Sequence, residues 1–228
     1  MNEVTLTQLL QHLDAKRPVV LVTNLDTNEQ RLLGRGEGAS DAEQEQVLLA
    51  LSEDRCAVVE EPGASPLFFQ PFNPPLRLVI VGAVHIAQAL STMATVAGYE
   101  VTVVDPRQAF TESERFSGVS TDTRWPDEAL ADLGLDSRVA VVTLTHDPKL
   151  DDPALEVALR SDAFFIGSLG SRKTHAARTH RLTKAGFTEA EVSRIRGPVG
   201  LAIGSRTPEE IAVSILAQIV ETLRVASG

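Results

Sequence analysis

RLVIVGAVHIAQAL, residues 77–90, decides how the chain is read. Leu78, Val79, Ile80 and Val81 form an unbroken apolar run of the kind a strand buried on both faces requires. Gly82 offers a tight turn, and a helix-like stretch begins at once. This is the strand, turn and helix that open a dinucleotide-binding domain, with one substitution. In the G-x-G-x-x-G pattern the first position is Gly82, the second is Val84 and the third is Ala87. Alanine is accepted at the third position, where helix packs closely on strand, but the second glycine lets the backbone approach a pyrophosphate. Val84 adds a β-branched side chain there and resists the positive φ that glycine tolerates. The expectation is a Rossmann framework in which NAD(P) does not take its usual seat.

Outward from this turn, short apolar runs alternate with helical stretches: HIAQALSTMATVAG then EVTVVD, PDEALADLG then VAVVTLTH, DPALEVALRS then AFFIG. Strands separated by amphipathic helices predict a parallel sheet with right-handed crossovers and helices on both faces. RKTHAARTHRLTKAG, TEAEVSRI and TPEEIAVSILAQIVETLRVA are also helical in period. In the last, Thr207 caps the helix, Pro208 takes the first position and Glu210 completes a capping box. Upstream, Pro71, Pro74 and Pro75 in FQPFNPPLR mark a boundary, because proline lacks a backbone donor and holds its predecessor extended. The predicted organisation is a small α+β domain at 1–72, a Pro-rich linker at 73–76 and a Rossmann-like α/β domain at 77–228. In the first, TLTQLLQHLDAK and DAEQEQVLLALSED read as helices, and PVVLVTNL, CAVVEE and LFFQPF as strands. At about 70 residues it is close to the lower limit for an independent fold, which makes a homodimer an expectation.

Bulk properties narrow the function classes. With 43% hydrophobic and 23% charged residues the chain is an ordinary globular one, and no apolar run approaches the roughly 20 residues of a membrane helix. The net charge of −10 argues against nucleic acid as a partner, since a phosphate backbone is held by basic patches. The acidity is mostly N-terminal, with 12 acidic against 5 basic residues in 1–75. The first residues show no secretory leader and a lone cysteine excludes an internal disulfide, so the expected compartment is the cytoplasm. Cys56 reads as a small buried hydrophobe and Trp125 as core.

In an open parallel sheet, ligands bind outside the carboxyl ends of the strands, and the notable polar residues fall there. The first strand ends in Gly82 and His85, the second in Asp105 and Arg107, the third in His146 and Asp147. The fourth runs into FFIGSLGSRKTH, where Gly170 and Ser171 lead to a helix whose first turn carries Arg172 and Lys173. Backbone donors, helix dipole and two cations make this loop an anion site; the alternative is an ordinary glycine loop with a solvated basic face. Asp105, 23 positions after Gly82, is placed either to read ribose hydroxyls or as a solvated strand-end residue. His85 and His146 suit hydrogen bonding to a ligand. No metal-binding spacing accompanies them, and no residue set marks a catalytic centre.

Taken in order, GAVHIA (82–87), VTVVDPR (101–107), ERF (114–116), LTHDPKLDDPAL (144–155), FIGSLGSRKTHAAR (165–178) and PVGLAIGSRTPEEIAVSILAQI (198–219) resemble the Rossmann-type domain of the XdhC/CoxI family. These are accessory factors of molybdenum hydroxylases such as xanthine dehydrogenase. The resemblance covers about two thirds of the chain. It implies a protein that binds the molybdenum cofactor, as molybdopterin or its cytosine dinucleotide form, aids its sulfuration with a cysteine desulfurase and delivers it to the apo-enzyme. The implied role is cofactor chaperone rather than turnover enzyme. Two departures stand out: Val84 where the family has glycine, and residues 1–72 without the family's GS-x-x-R loop, GGG segment and CGG motif. An NAD(P)-dependent oxidoreductase, and a degenerate member acting through protein contacts, remain the alternatives.

Overall fold

The computed structural model describes residues 2–107 and 114–225, and the chain divides into two compact units, one ending at Pro74 and the other beginning at Pro75. The first unit runs α1 (Glu3–Asp14), β1 (Val19–Asn24), β2 (Gln30–Leu33), α2 (Asp41–Glu53), β3 (Ala57–Val59) and β4 (Leu67–Phe72). Its strands form an antiparallel sheet in the order β2-β1-β4-β3. Val20 and Val22 of β1 lie on one face of the pleat and pack with Val47, Ala50 and Leu51 of α2 and Phe69 of β4. Asn2 and Ser40 cap the two helices through their side-chain oxygens. Pro71 is accommodated in β4 because β3 pairs with β4 only as far as Phe69, so no β3 bond is lost at the proline. Two expectations fail around this sheet. QRLL, too short to register as a strand, forms β2; Cys56, expected in the core, is exposed because it precedes the edge strand β3.

The second unit contains β5 (Arg77–Val81), α3 (His85–Val96), β6 (Glu100–Val104), a 3-10 turn (Glu114–Phe116), β7 (Ser120–Asp122), α4 (Pro126–Leu133), β8 (Val139–Thr143), α5 (Pro148–Leu159), β9 (Phe165–Ser168), α6 (Arg172–Lys184), α7 (Glu189–Val192), β10 (Ile195–Arg196) and α8 (Pro208–Val225). Six parallel strands lie in the order β10-β9-β8-β5-β6-β7. The chain therefore winds outward from β5 through β6 and β7, then returns to the other side of β5 for β8, β9 and β10. The order reverses between β5 and β8, which is where a doubly wound sheet opens a crevice at its carboxyl edge.

Alternation along β5 builds both faces. Leu78 and Ile80 join Leu90 and Ala94 of α3 and Ile215 and Ile219 of α8; Val79 and Val81 join Leu130 of α4, Leu155 of α5 and Leu182 of α6. The continuous apolar run is thus the mark of a strand covered on both sides. The capping box at α8 is as expected, with Glu210 N–H on Thr207 Oγ1 at 3.2 Å and Thr207 N–H on the Glu210 carboxylate at 3.1 Å. Elsewhere the structure corrects the reading. The short β7 and β10 add two strands, and β10 ends the stretch expected to be helical beyond α7. The helix expected to start at 152–153 starts at Pro148, capped by Asp147, so Pro153 is internal and Asp151 lies on the helix. Trp125 is half exposed at the head of α4 instead of buried.

Gly82 is the residue that the turn cannot replace. Its φ is +109°, and a Cβ there stands 2.6 Å from Thr145 Cγ2 and 3.3 Å from the Thr145 backbone nitrogen. Gly82→Ala is expected to cost about 1–3 kcal/mol, read as a lowered midpoint in thermal unfolding. Gly98→Ala, at φ +88° with no atom within 4 Å, carries the backbone cost without the clash and is the control.

Candidate functional site

At the carboxyl edge of the sheet, the turn after β5 is anchored by a buried carboxylate from the end of the neighbouring strand β6. Asp105, directly after β6, is 0% exposed. Its Oδ2 accepts from Ala83 N–H at 2.8 Å and from Arg107 Nη2 at 2.7 Å; its Oδ1 accepts from Arg107 N–H at 3.0 Å and Nε at 2.9 Å. A carboxylate has about four lone-pair sites, so this one is saturated. Burial alone raises the Asp105 pKa, but the Arg107 bonds and the two backbone donors outweigh it and hold the carboxyl below the usual aspartate value. The solvated alternative for Asp105 fails on exposure, and a ribose contact requires one of these donors to leave. Asp105 is first a clamp that fixes the turn after β5 to the end of β6.

Val84 behaves differently from its expectation. It is the N-cap residue of α3 with φ −88°, an extended conformation without strain, and its half-buried side chain packs against the core cluster below the turn. The positive-φ argument against a nucleotide therefore falls away. What remains is that Ala83 N–H is already committed to Asp105.

Across the crevice, the loop from β8 into α5 carries Thr145, His146 and Asp147. His146 is exposed at φ +61°, a left-handed conformation that few non-glycine residues adopt. Thr145 is held by Asp151, whose Oδ1 accepts from Thr145 Oγ1 at 2.7 Å and from its N–H at 3.3 Å. On the next loop, Gly170 has φ +145°, Ser171 caps α6 by accepting from Thr174 N–H at 3.1 Å, and Arg172 and Lys173 are exposed in the first turn. Buried hydroxyls join the two strands below, Thr143 Oγ1 to Ser168 Oγ at 2.5 Å.

The predicted residues thus form two groups at one sheet edge. Gly82, Asp105 and Arg107 are joined through the turn, with His85 exposed at the start of α3; Asp147 is near enough to raise the Arg107 pKa after its main cause, the Asp105 bond. Gly170, Ser171, Arg172 and Lys173 form the other, on the β9–α6 loop. Of the basic stretch that follows, Arg181 is taken up by Asp152 at 2.5 and 2.9 Å, and Arg178 is buried. Sequence reasoning missed Asp151, which sat in a stretch read as loop, and nothing in the sequence distinguishes the buried Arg178 from its exposed neighbours. Among the described residues no three His, Cys, Asp or Glu side chains gather as a metal site, and no helix is long and apolar enough to cross a membrane.

Residues 78–219, from the second residue of β5 into α8, match the XdhC Rossmann domain over more than half of the chain. The chain belongs to the XdhC family. Similar proteins include the molybdenum cofactor insertion chaperone PaoD of Escherichia coli, 31% identical over 148 residues that cover 65% of this chain and 40% of that protein. A Bacillus subtilis protein named as a probable component of xanthine dehydrogenase is 33% identical over 157 residues, 68% of this chain and 46% of the other. The chain spans less than half the length of these curated relatives. A solved structure from Bacillus halodurans, described as a xanthine dehydrogenase, aligns with 98% of this chain and 68% of its own at 25% identity and a TM-score of 0.70.

The lowered Asp105 pKa gives a signed pH prediction. Stability from this carboxylate is full above its unfolded value of about 3.9 and is lost as pH falls through the lower folded value. Asp105→Asn is expected to be less stable than the parent at neutral pH. The deficit should narrow below about pH 4, measured by chemical unfolding across pH; a deficit constant with pH contradicts the clamp.

Proposed function

We propose that this chain binds the molybdenum cofactor, as molybdopterin or its cytosine dinucleotide form, at the carboxyl edge of its parallel sheet and passes it to a molybdenum hydroxylase apo-enzyme. The observation that carries the reading is the β9–α6 loop. Gly170 and Ser171 turn the chain into the N-terminus of a 13-residue helix, whose dipole and exposed Arg172 and Lys173 favour the phosphate end of such a cargo. The name of the E. coli relative points the same way. His85, Arg107, His146 and Asp147 border the edge and supply polar contacts, with Gly82 and Asp105 setting its shape. Sulfuration with a cysteine desulfurase, a homodimeric state, a cytoplasmic setting and the division at 73–76 belong to the same proposal.

A nicotinamide dinucleotide is the second reading, favoured by the strand order alone. The Ala83 amide spent on Asp105 opposes it. NADH titration of the parent and of Val84→Gly separates a blocked nucleotide site from a framework used otherwise: binding gained on substitution supports the first, none in either the second.

The direct test is to purify the chain from a host that makes the cofactor, denature it and measure oxidised pterin fluorescence. Pterin near stoichiometry is expected, with a loss of at least about tenfold in Arg172→Ala with Lys173→Ala, as removal of two charge-assisted contacts implies. Pterin-free protein that also fails to take up added cofactor contradicts the reading.

A further inference from the structure

Beneath the two loops lies a set of polar atoms that nothing above uses. Arg178 of α6 is 2% exposed and spends an Nη2 N–H on the Leu169 carbonyl at 2.9 Å, while its Nε and Nη1 have no partner. Asp151 of α5 is also 2% exposed; its Oδ1 holds Thr145, and its Oδ2 has no hydrogen-bond partner. That oxygen is 3.8 Å from Arg178 Nη2, within ion-pair range and beyond a hydrogen bond. His175, on the same face of α6 one turn earlier, buries an unpartnered Nδ1. Buried polar groups are nearly always satisfied, so the three unmet atoms of Asp151 and Arg178 ask for a partner.

Charge selects that partner. An anion brought to Arg178 meets Asp151, and a cation brought to Asp151 meets Arg178. A neutral group with an acceptor beside a donor is repelled by neither and satisfies both. The C(=O)–N–H edge of a cyclic amide has this pattern: its oxygen accepts from Arg178, and its N–H donates to Asp151 Oδ2. We propose that Asp151 and Arg178 bind the cyclic-amide edge of a heterocyclic ligand, carbonyl on Arg178 and ring N–H on Asp151. The site rests on the reading of the chain as a cofactor carrier, since a pterin ring carries such an edge. Burial raises the Asp151 pKa and lowers that of Arg178, so each charge is short of partners in the direction a bridging ligand relieves. The groups bonded directly to the pair, Thr145 and Leu169, belong to strand-end loops and are half-buried. Because both residues are buried, binding there requires those loops to part from the pair.

The test titrates the full chain with pterin, 2-amino-4-oxopteridine, followed by its fluorescence, and with inorganic phosphate as the anionic probe. Asp151→Asn keeps an oxygen for Thr145 and sets an NH₂ against the ring N–H; pterin affinity is expected to fall roughly tenfold or more, as for a lost charge-assisted pair. Arg178→Lys, which keeps the charge and loses the guanidinium, is expected to fall likewise. 3-Methylpterin, which lacks the ring N–H, requires no variant and is expected to bind the parent at least about tenfold more weakly than pterin. No binding of pterin by the parent, equal binding of 3-methylpterin, or unchanged affinity in a folded Asp151→Asn overturns the site. Phosphate that competes with pterin and depends on Arg178 also overturns it, in favour of an anion seat. Cofactor retained on purification equally by the parent and Asp151→Asn removes this site and leaves the carrier function standing. Free pterin bound through Asp151 by a parent that never carries cofactor does the reverse.

Discussion

The carboxylate of Asp105 accepts from Ala83 in the turn after β5 and from Arg107 beyond β6, and so ties the first turn of the Rossmann unit to the end of the neighbouring strand. The absence of a side chain at Gly82 lets Thr145 of the opposite loop pack against the same turn. Thr145 is held in turn by Asp151. From β6 across the strand reversal to β8, the floor of the crevice is therefore one connected set of contacts. His85, His146 and Asp147 follow within two residues of members of that floor, so its geometry sets theirs.

The two loops at the reversal divide the chemistry between charge and shape. The β9–α6 loop presents exposed cations and a helix N-terminus, which suit a phosphate but distinguish one phosphorylated ligand from another only weakly. Discrimination requires groups fixed in a dry environment, where an unmet donor or acceptor costs most. Asp151 and Arg178 are such groups, and they lie within a bond of both loops. Exposed cations for capture and a buried pair for selection fit the carrier function proposed above.

How much of this was legible in the sequence depends on whether the signal was local. The apolar run 78–81 shows a strand covered on both faces, and Thr207, Pro208 and Glu210 show a helix start, because both are written within a few residues. The strand-end position of the polar residues follows from the alternation of strands and helices. Strands β2, β7 and β10 were hidden because two to four residues carry no period, and they exist only through pairing with neighbouring strands. The tension at Val84 was misjudged because the motif fixes a residue type and not its φ. Asp105 was placed correctly along the chain, yet its saturation by Ala83 and Arg107 is a matter of three dimensions. Arg178 reads in sequence like Arg172, and only the fold separates the buried from the exposed one.

The central claim is that the carboxyl edge of the parallel sheet, and no other surface, receives the cargo. Hydrogen–deuterium exchange of the full chain with and without added molybdenum cofactor tests it most directly. Protection is expected at 82–86, 105–107, 144–148 and 168–174, with the small antiparallel unit at 19–72 unchanged. Protection confined to that unit, or absent from all four loops while cofactor remains bound, would contradict it.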